Sequence, residues 1–80
     1  MDGVLSIGEL ARRAGVPAST VRHYERRGLL QPGGRTGGNY RLYGPAELAR
    51  LRFIRAARAS GFRLADVGEL LALRARGIAP

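Results

Sequence analysis

Three residues, Gly15-Val16-Pro17, restrict the fold of this chain more than any others, because they stop one helix and start the next with almost no chain between. Upstream, Ser6-Ile7-Gly8-Glu9 has the spacing of a capping box. In that motif the Ser side chain accepts from the amide three residues on, and the Glu carboxylate accepts from the Ser amide. Leu5 and Leu10 stand at the two positions of a hydrophobic staple. Ile7, Leu10, Ala11 and Ala14 then recur at helical spacing, and Gly15 is placed to end the helix in the left-handed conformation. Val16-Pro17 follows at once, and Pro is favoured in the first turn of a helix, where its missing N–H had no partner. Two helices joined this tightly meet at a steep angle, as in a helix-turn-helix.

The second helix divides into two faces. At about 100° per residue, Val21 and Tyr24 fall on one side, while Ser19, Arg22, His23 and Arg26 cluster on the other. Arginine, serine and histidine turned outward can donate to phosphate oxygens and reach base edges in a major groove, which admits an α-helix. A solvated helix face is the alternative reading of the same pattern. Gly28 ends the helix, and Leu29-Leu30 reads as the start of a short strand buried against the helices. Residues 31–39, Gln-Pro-Gly-Gly-Arg-Thr-Gly-Gly-Asn, have the composition of a loop, and Tyr40-Arg41-Leu42-Tyr43 alternates at period two like a returning strand. A helix-turn-helix over about 6–28 is thus followed by a wing over about 29–43.

Gly44-Pro45-Ala46-Glu47 opens a third helix, with Pro45 at its first position and Glu47 near the positive end of its dipole. Leu48, Leu51, Ile54 and Ala57 form its apolar stripe, Arg50, Arg52, Arg55 and Arg58 point mostly elsewhere, and Ser60-Gly61 closes it. A fourth helix from about Leu64 to Arg76 buries Leu64, Val67, Leu70 and Leu71, with Gly77 as its cap. Its start is poorly capped, since Arg63 stands where Ser, Thr or Asp is preferred. The pattern predicts one mainly α domain over 1–80, a winged helix-turn-helix of four helices with a small β-hairpin wing, helices three and four filling about 45–76.

Eighty residues bury around 60 % of the surface of the unfolded chain, so stability of about 5 kcal/mol is expected. The absence of cysteine rules out disulfides, a thiol nucleophile and a thiolate metal site, and one His leaves no all-histidine site. No apolar run approaches the roughly 18 residues of a membrane span, and no signal-peptide pattern is present, so a cytoplasmic protein with no membrane association is expected. Asp2, Glu9, Glu25, Glu47, Asp66 and Glu69 are scattered, and no nucleophile and base share a recognisable arrangement, so catalysis is not expected. His23 reads as a recognition-face or packing residue rather than a base.

Charge carries more information. The net charge is +8 with no Lys, and the window from Ser19 to Arg63 holds ten Arg against Glu25 and Glu47, which accounts for all of it. The excess therefore lies on the second helix, the wing and the third helix, where a polyanion would bind. Arg favours forked contacts to phosphate or guanine, although codon bias explains Arg over Lys equally well. Codon bias does not account for the clustering.

Ile7-Gly8-Glu9-Leu10-Ala11, Gly15-Val16, Thr20-Val21-Arg22-His23-Tyr24-Glu25, Gly28-Leu29-Leu30, Tyr40-Arg41-Leu42-Tyr43 and Leu51-Arg52-Phe53-Ile54 through Gly61-Phe62 resemble the amino-terminal domain of the MerR family of bacterial transcriptional regulators. The resemblance implies that the second helix enters the major groove of double-stranded DNA, that the hairpin is a first wing and that the turn between the last two helices is a second wing along phosphates. It implies DNA contacts, mostly to the backbone, for Arg22, Tyr24, Arg35, Tyr40, Arg41 and Arg58, and base-facing roles for Ser19 and His23, with Thr20 beside them. His23 departs from the aromatic ring common at its position, and Arg63 replaces the usual Ser cap of the second wing, exchanging cap stability for a phosphate contact. For Tyr24 and Tyr40, core packing with a wet hydroxyl stands beside the DNA role and is compatible with it. Such regulators pair through a long helix and carry an effector site, both expected beyond Pro80. RNA polymerase at the promoter is then the expected partner of the full-length protein, and no cofactor is expected in this chain. A stand-alone excisionase-like or architectural DNA-binding protein is the alternative.

Overall fold

The computed structural model describes residues 4–35, 37 and 41–77. Its elements run α1 (Ile7–Ala14), α2 (Ala18–Arg26), β1 (Gly34–Arg35), β2 (Arg41–Leu42), α3 (Pro45–Ala59) and α4 (Leu64–Ala75). The first helix starts on the expected capping box: the Ser6 hydroxyl accepts from the Glu9 N–H at 3.2 Å, and the Ser6 N–H donates to Glu9 Oε1 at 3.1 Å. The Ser6 N–H and then the Ser6 hydroxyl hold the Glu9 carboxyl below its ordinary value, with smaller help from the Arg12 and Arg13 charges.

Gly15 takes φ 75°, and its N–H and that of Val16 close the last carbonyls of α1. A Cβ at Gly15 would meet the Arg55 guanidinium at 3.6 Å, an ordinary contact, so backbone conformation rather than space requires glycine here. Pro17 sits at the N-cap of α2, one position before the expected first turn, and its carbonyl receives the Thr20 N–H at 3.0 Å.

One apolar cluster joins Leu5, Leu10 and Ala14 with Val21 and Tyr24 of α2 and with Leu51 and Ile54 of α3. Leu10, Val21, Leu51 and Ile54 are fully buried. The first helix packs on both α2 and α3, and α4 closes over α3 through Val67 and Leu71. Leu48, Leu64 and Leu70, expected in that core, are only half-buried. Leu48 and Leu64 pack against the core cluster from its outside. Gly68 lets α4 approach the segment after α2, since a Cβ there would stand 3.3 Å from Leu29 Cδ2.

The wing is where expectation and structure differ most. Leu29 and Leu30 form no strand: the Leu29 N–H returns to the Tyr24 carbonyl at 2.9 Å to finish α2, and Leu30 is 1 % exposed in the core. Capping and packing use these residues, so pairing begins later, with Gly34 opposite Leu42 and Arg35 opposite Arg41 in an antiparallel pair. The expected return strand also divides. Arg41 and Leu42 pair with β1, Tyr40 lies outside the described residues, and Tyr43 exchanges two backbone hydrogen bonds with Leu5, at 2.7 and 2.9 Å. The base of the wing is thus tied to the segment before α1.

Pro45 is the first residue of α3, and Glu47 Oε1 accepts the Gly44 N–H at 2.7 Å. Arg63 is the N-cap of α4 without a side-chain cap bond, as its chemistry dictates. Among the described residues, no helix is long and apolar enough to cross a membrane.

Candidate nucleic-acid interface

Packing decides which way α2 turns. With Val21 fully buried and Tyr24 8 % exposed, Ser19, Arg22, His23 and Arg26 are left exposed, and Thr20 is half-buried between the faces. Tyr24 belongs to the core, its ring centroid 5.9 Å from that of His23. No acidic residue stands in the first turn of α2, so its positive dipole end is not neutralised locally.

The wing meets α2 at Glu25. Arg41 and Tyr43, two residues apart on extended chain, share a face, and both reach this carboxylate. The Tyr43 hydroxyl donates to Glu25 Oε2 at 2.5 Å, and Arg41 Nη1 lies 3.2 Å from Oε1. The Glu25 side chain is 10 % exposed and that of Arg41 41 %. Oε1 is buried and accepts no hydrogen bond, so the Arg41 charge is what balances it among the described residues. Beside this junction, Arg22, Arg26 and Arg41 border a cleft of about 380 Å³ that Glu25, Leu30, Gln31 and Pro32 also line. Three guanidiniums around a shallow cleft suit an anionic oxygen cluster.

The other basic residues divide by task. Arg50 Nε donates to the Leu29 carbonyl at 2.6 Å and so supports the fold, while Arg55 is exposed with its guanidinium beside Gly15. Arg58 Nη1 donates to the Phe62 carbonyl at 2.8 Å and remains exposed at the α3–α4 turn. Arg63 pairs with Asp66 at 3.3 Å while its side chain stays 84 % exposed. Arg35 takes its place on β1 opposite Arg41, its side chain lying outside what is described, as does the whole of Tyr40.

Both acids of the basic window are engaged within the fold, Glu25 with Tyr43 and Arg41, Glu47 with the Gly44 amide. The exposed side of α2 therefore presents Arg22, His23 and Arg26, while at the wing base Glu25 is paired with Arg41. Reading for basic residues overlooked Glu25 and Tyr43. The available signal was the lone acid on α2 together with the period-two spacing of Arg41 and Tyr43.

Residues 5–73 match the MerR HTH family regulatory protein domain. The HTH-type transcriptional regulator ZntR of Escherichia coli is 47 % identical over 68 residues, 85 % of this chain and 48 % of that protein. The transcription regulator PbrR691 from Ralstonia metallidurans, solved in complex with lead(II), superimposes with a TM-score of 0.86 at 43 % identity, over 95 % of this chain and 59 % of that one. HiNmlR, a MerR family regulator lacking the sensor domain and solved on promoter DNA, has a TM-score of 0.85 over 92 % of this chain and 56 % of that one; at 24 % identity it shows the shared fold. The chain spans about half the length of the curated relatives it matches. With the capping pattern, the wing and the matched residues in agreement, the chain belongs to the MerR family of helix-turn-helix regulatory proteins.

Proposed function

We propose that this chain is a sequence-reading, double-stranded DNA-binding domain of a bacterial transcriptional regulator, with α2 in the major groove and the wings on phosphates. The observation that carries this reading is the exposed row Ser19, Arg22, His23 and Arg26 beside Arg41 of the wing, on a surface where Glu25 is bonded to Tyr43 and Glu47 to the Gly44 amide. Arg22, Arg35, Arg41, Arg58 and Arg63 hold phosphates in this reading, and Ser19, Thr20 and His23 meet base edges. Tyr24, and Tyr40 on the wing, support the phosphate contacts. The full-length regulator acts in the cytoplasm, pairs two copies through chain outside these residues and engages RNA polymerase at its promoter. The DNA-binding domain itself uses no cofactor.

Selection of duplexes from a randomised pool tests the assignment. Ser19→Ala with His23→Ala changes the preferred sequence while largely sparing non-specific affinity. Arg22→Ala or Arg58→Ala weakens binding to every sequence and lowers the salt slope by about one. Unchanged slopes in both arginine variants refute the phosphate assignment, and an unchanged preferred site refutes base reading by α2.

A further inference from the structure

The negative charge of Glu25 is out of place on a surface built to bind a polyanion. Simple electrostatics predicts that removing it strengthens DNA binding. The geometry points to the opposite: we infer that Glu25 is a positioning residue, which holds Arg41 of the wing in the orientation that takes a DNA phosphate and sets the wing against α2. The inference rests on the phosphate role proposed for Arg41.

Three observations carry it. Glu25 is anchored from below, because the Tyr43 hydroxyl donates to Oε2 at 2.5 Å and Tyr43 is itself 1 % exposed and bridged to Leu5. Its other oxygen is buried and faces Arg41 Nη1 at 3.2 Å, so the carboxylate is fixed at one end and attractive at the other. Arg41 lies on the border of the cleft that Arg22 and Arg26 share, and with 41 % of its side chain exposed it has free edges toward solvent. A guanidinium carries five N–H donors in a planar fork. One edge can rest on Glu25 while another receives a phosphate oxygen. An arginine held in this way has already given up most of its rotamer freedom, so less is lost when the phosphate binds.

The experiment measures binding of the 80-residue chain to a mixed-sequence duplex across a salt series, for wild type, Arg41→Ala, Glu25→Gln and the double variant. Glutamine keeps an oxygen to accept the Tyr43 hydroxyl but removes the charge that holds Arg41. Glu25→Gln is expected to weaken binding about fivefold to thirtyfold and to lower the salt slope by about 0.9, as Arg41→Ala does. The double variant should bind like Arg41→Ala alone, since the two residues act through one contact. Tighter binding by Glu25→Gln, or an unchanged slope with losses that simply add, overturns the positioning role. An unchanged slope in Arg41→Ala itself refutes the phosphate role of Arg41, which is a separate failure. Should Glu25→Gln not fold, Tyr43→Phe, which frees one end of the carboxylate, is the second probe: a smaller loss of affinity that disappears in the Arg41→Ala background supports the inference, and a loss that persists there overturns it.

Discussion

Replacing Tyr43 by Phe removes one oxygen and leaves the ring in place, which probes the hydroxyl's bond to Glu25 of α2. The residue is 1 % exposed, so neither variant gains contact with water, and the difference includes the 2.5 Å hydrogen bond to Glu25. A hydrogen bond to a charged acceptor contributes about 1.5–3 kcal/mol. Glu25 retains 10 % exposure and its Arg41 partner, so part of the loss is compensated and the lower end, about 1.5 kcal/mol, applies. For a domain of this size each kcal/mol shifts the midpoint by about 4–8 °C, so thermal unfolding followed by circular dichroism should show Tm falling by about 6–12 °C. In a Glu25→Gln background the acceptor is neutral and the same change should lower stability by only about 0.5–1.5 kcal/mol. A Tyr43→Phe midpoint within about 2 °C of wild type refutes the argument, because the hydroxyl then contributes no more than it would to water.

Ser6→Ala removes the N-cap of α1 and should lower stability by about 1 kcal/mol in denaturant unfolding, with an unchanged midpoint refuting the cap's role. The folded state lowers the Glu9 carboxyl below 4.5, so its contribution is present above that pH and lost as pH falls through the depressed value. Glu9→Gln should therefore flatten the acid side of the stability profile, and a profile parallel to wild type would count against the Ser6 bonds as its cause. Gly15→Ala forces a side chain to φ 75° without a clash and should lower stability by about 1–2 kcal/mol; a markedly larger loss would mean that Arg55 cannot accommodate the Cβ. Arg63→Ser supplies the side-chain cap that α4 lacks and should raise stability by about 0.5–1 kcal/mol while weakening DNA binding, and unchanged binding would remove Arg63 from the interface.

Local chemistry made the helices legible from the amino-acid order alone. Ser6 with Glu9, Gly15, Gly28 and Pro45 each act within four residues, and a capping box or a left-handed glycine needs no distant partner to take effect. The exposed face of α2 was legible for the same reason, since Val21 and Tyr24 recur at the helical period and leave Arg22 and His23 outward. The wing was not. Leu29 and Leu30 have the side chains of a strand, but bonding back to Tyr24 and packing into the core claimed them, and that outcome depends on where the other helices lie. The partition of fourteen arginines into those that hold the fold and those that face outward was equally hidden, because Arg50 differs from its neighbours only in what stands near it. Only the tertiary structure brought Glu25, Arg41 and Tyr43 together. A charge pair across some sixteen residues leaves no periodic trace, and its worth depends on the burial that folding alone supplies.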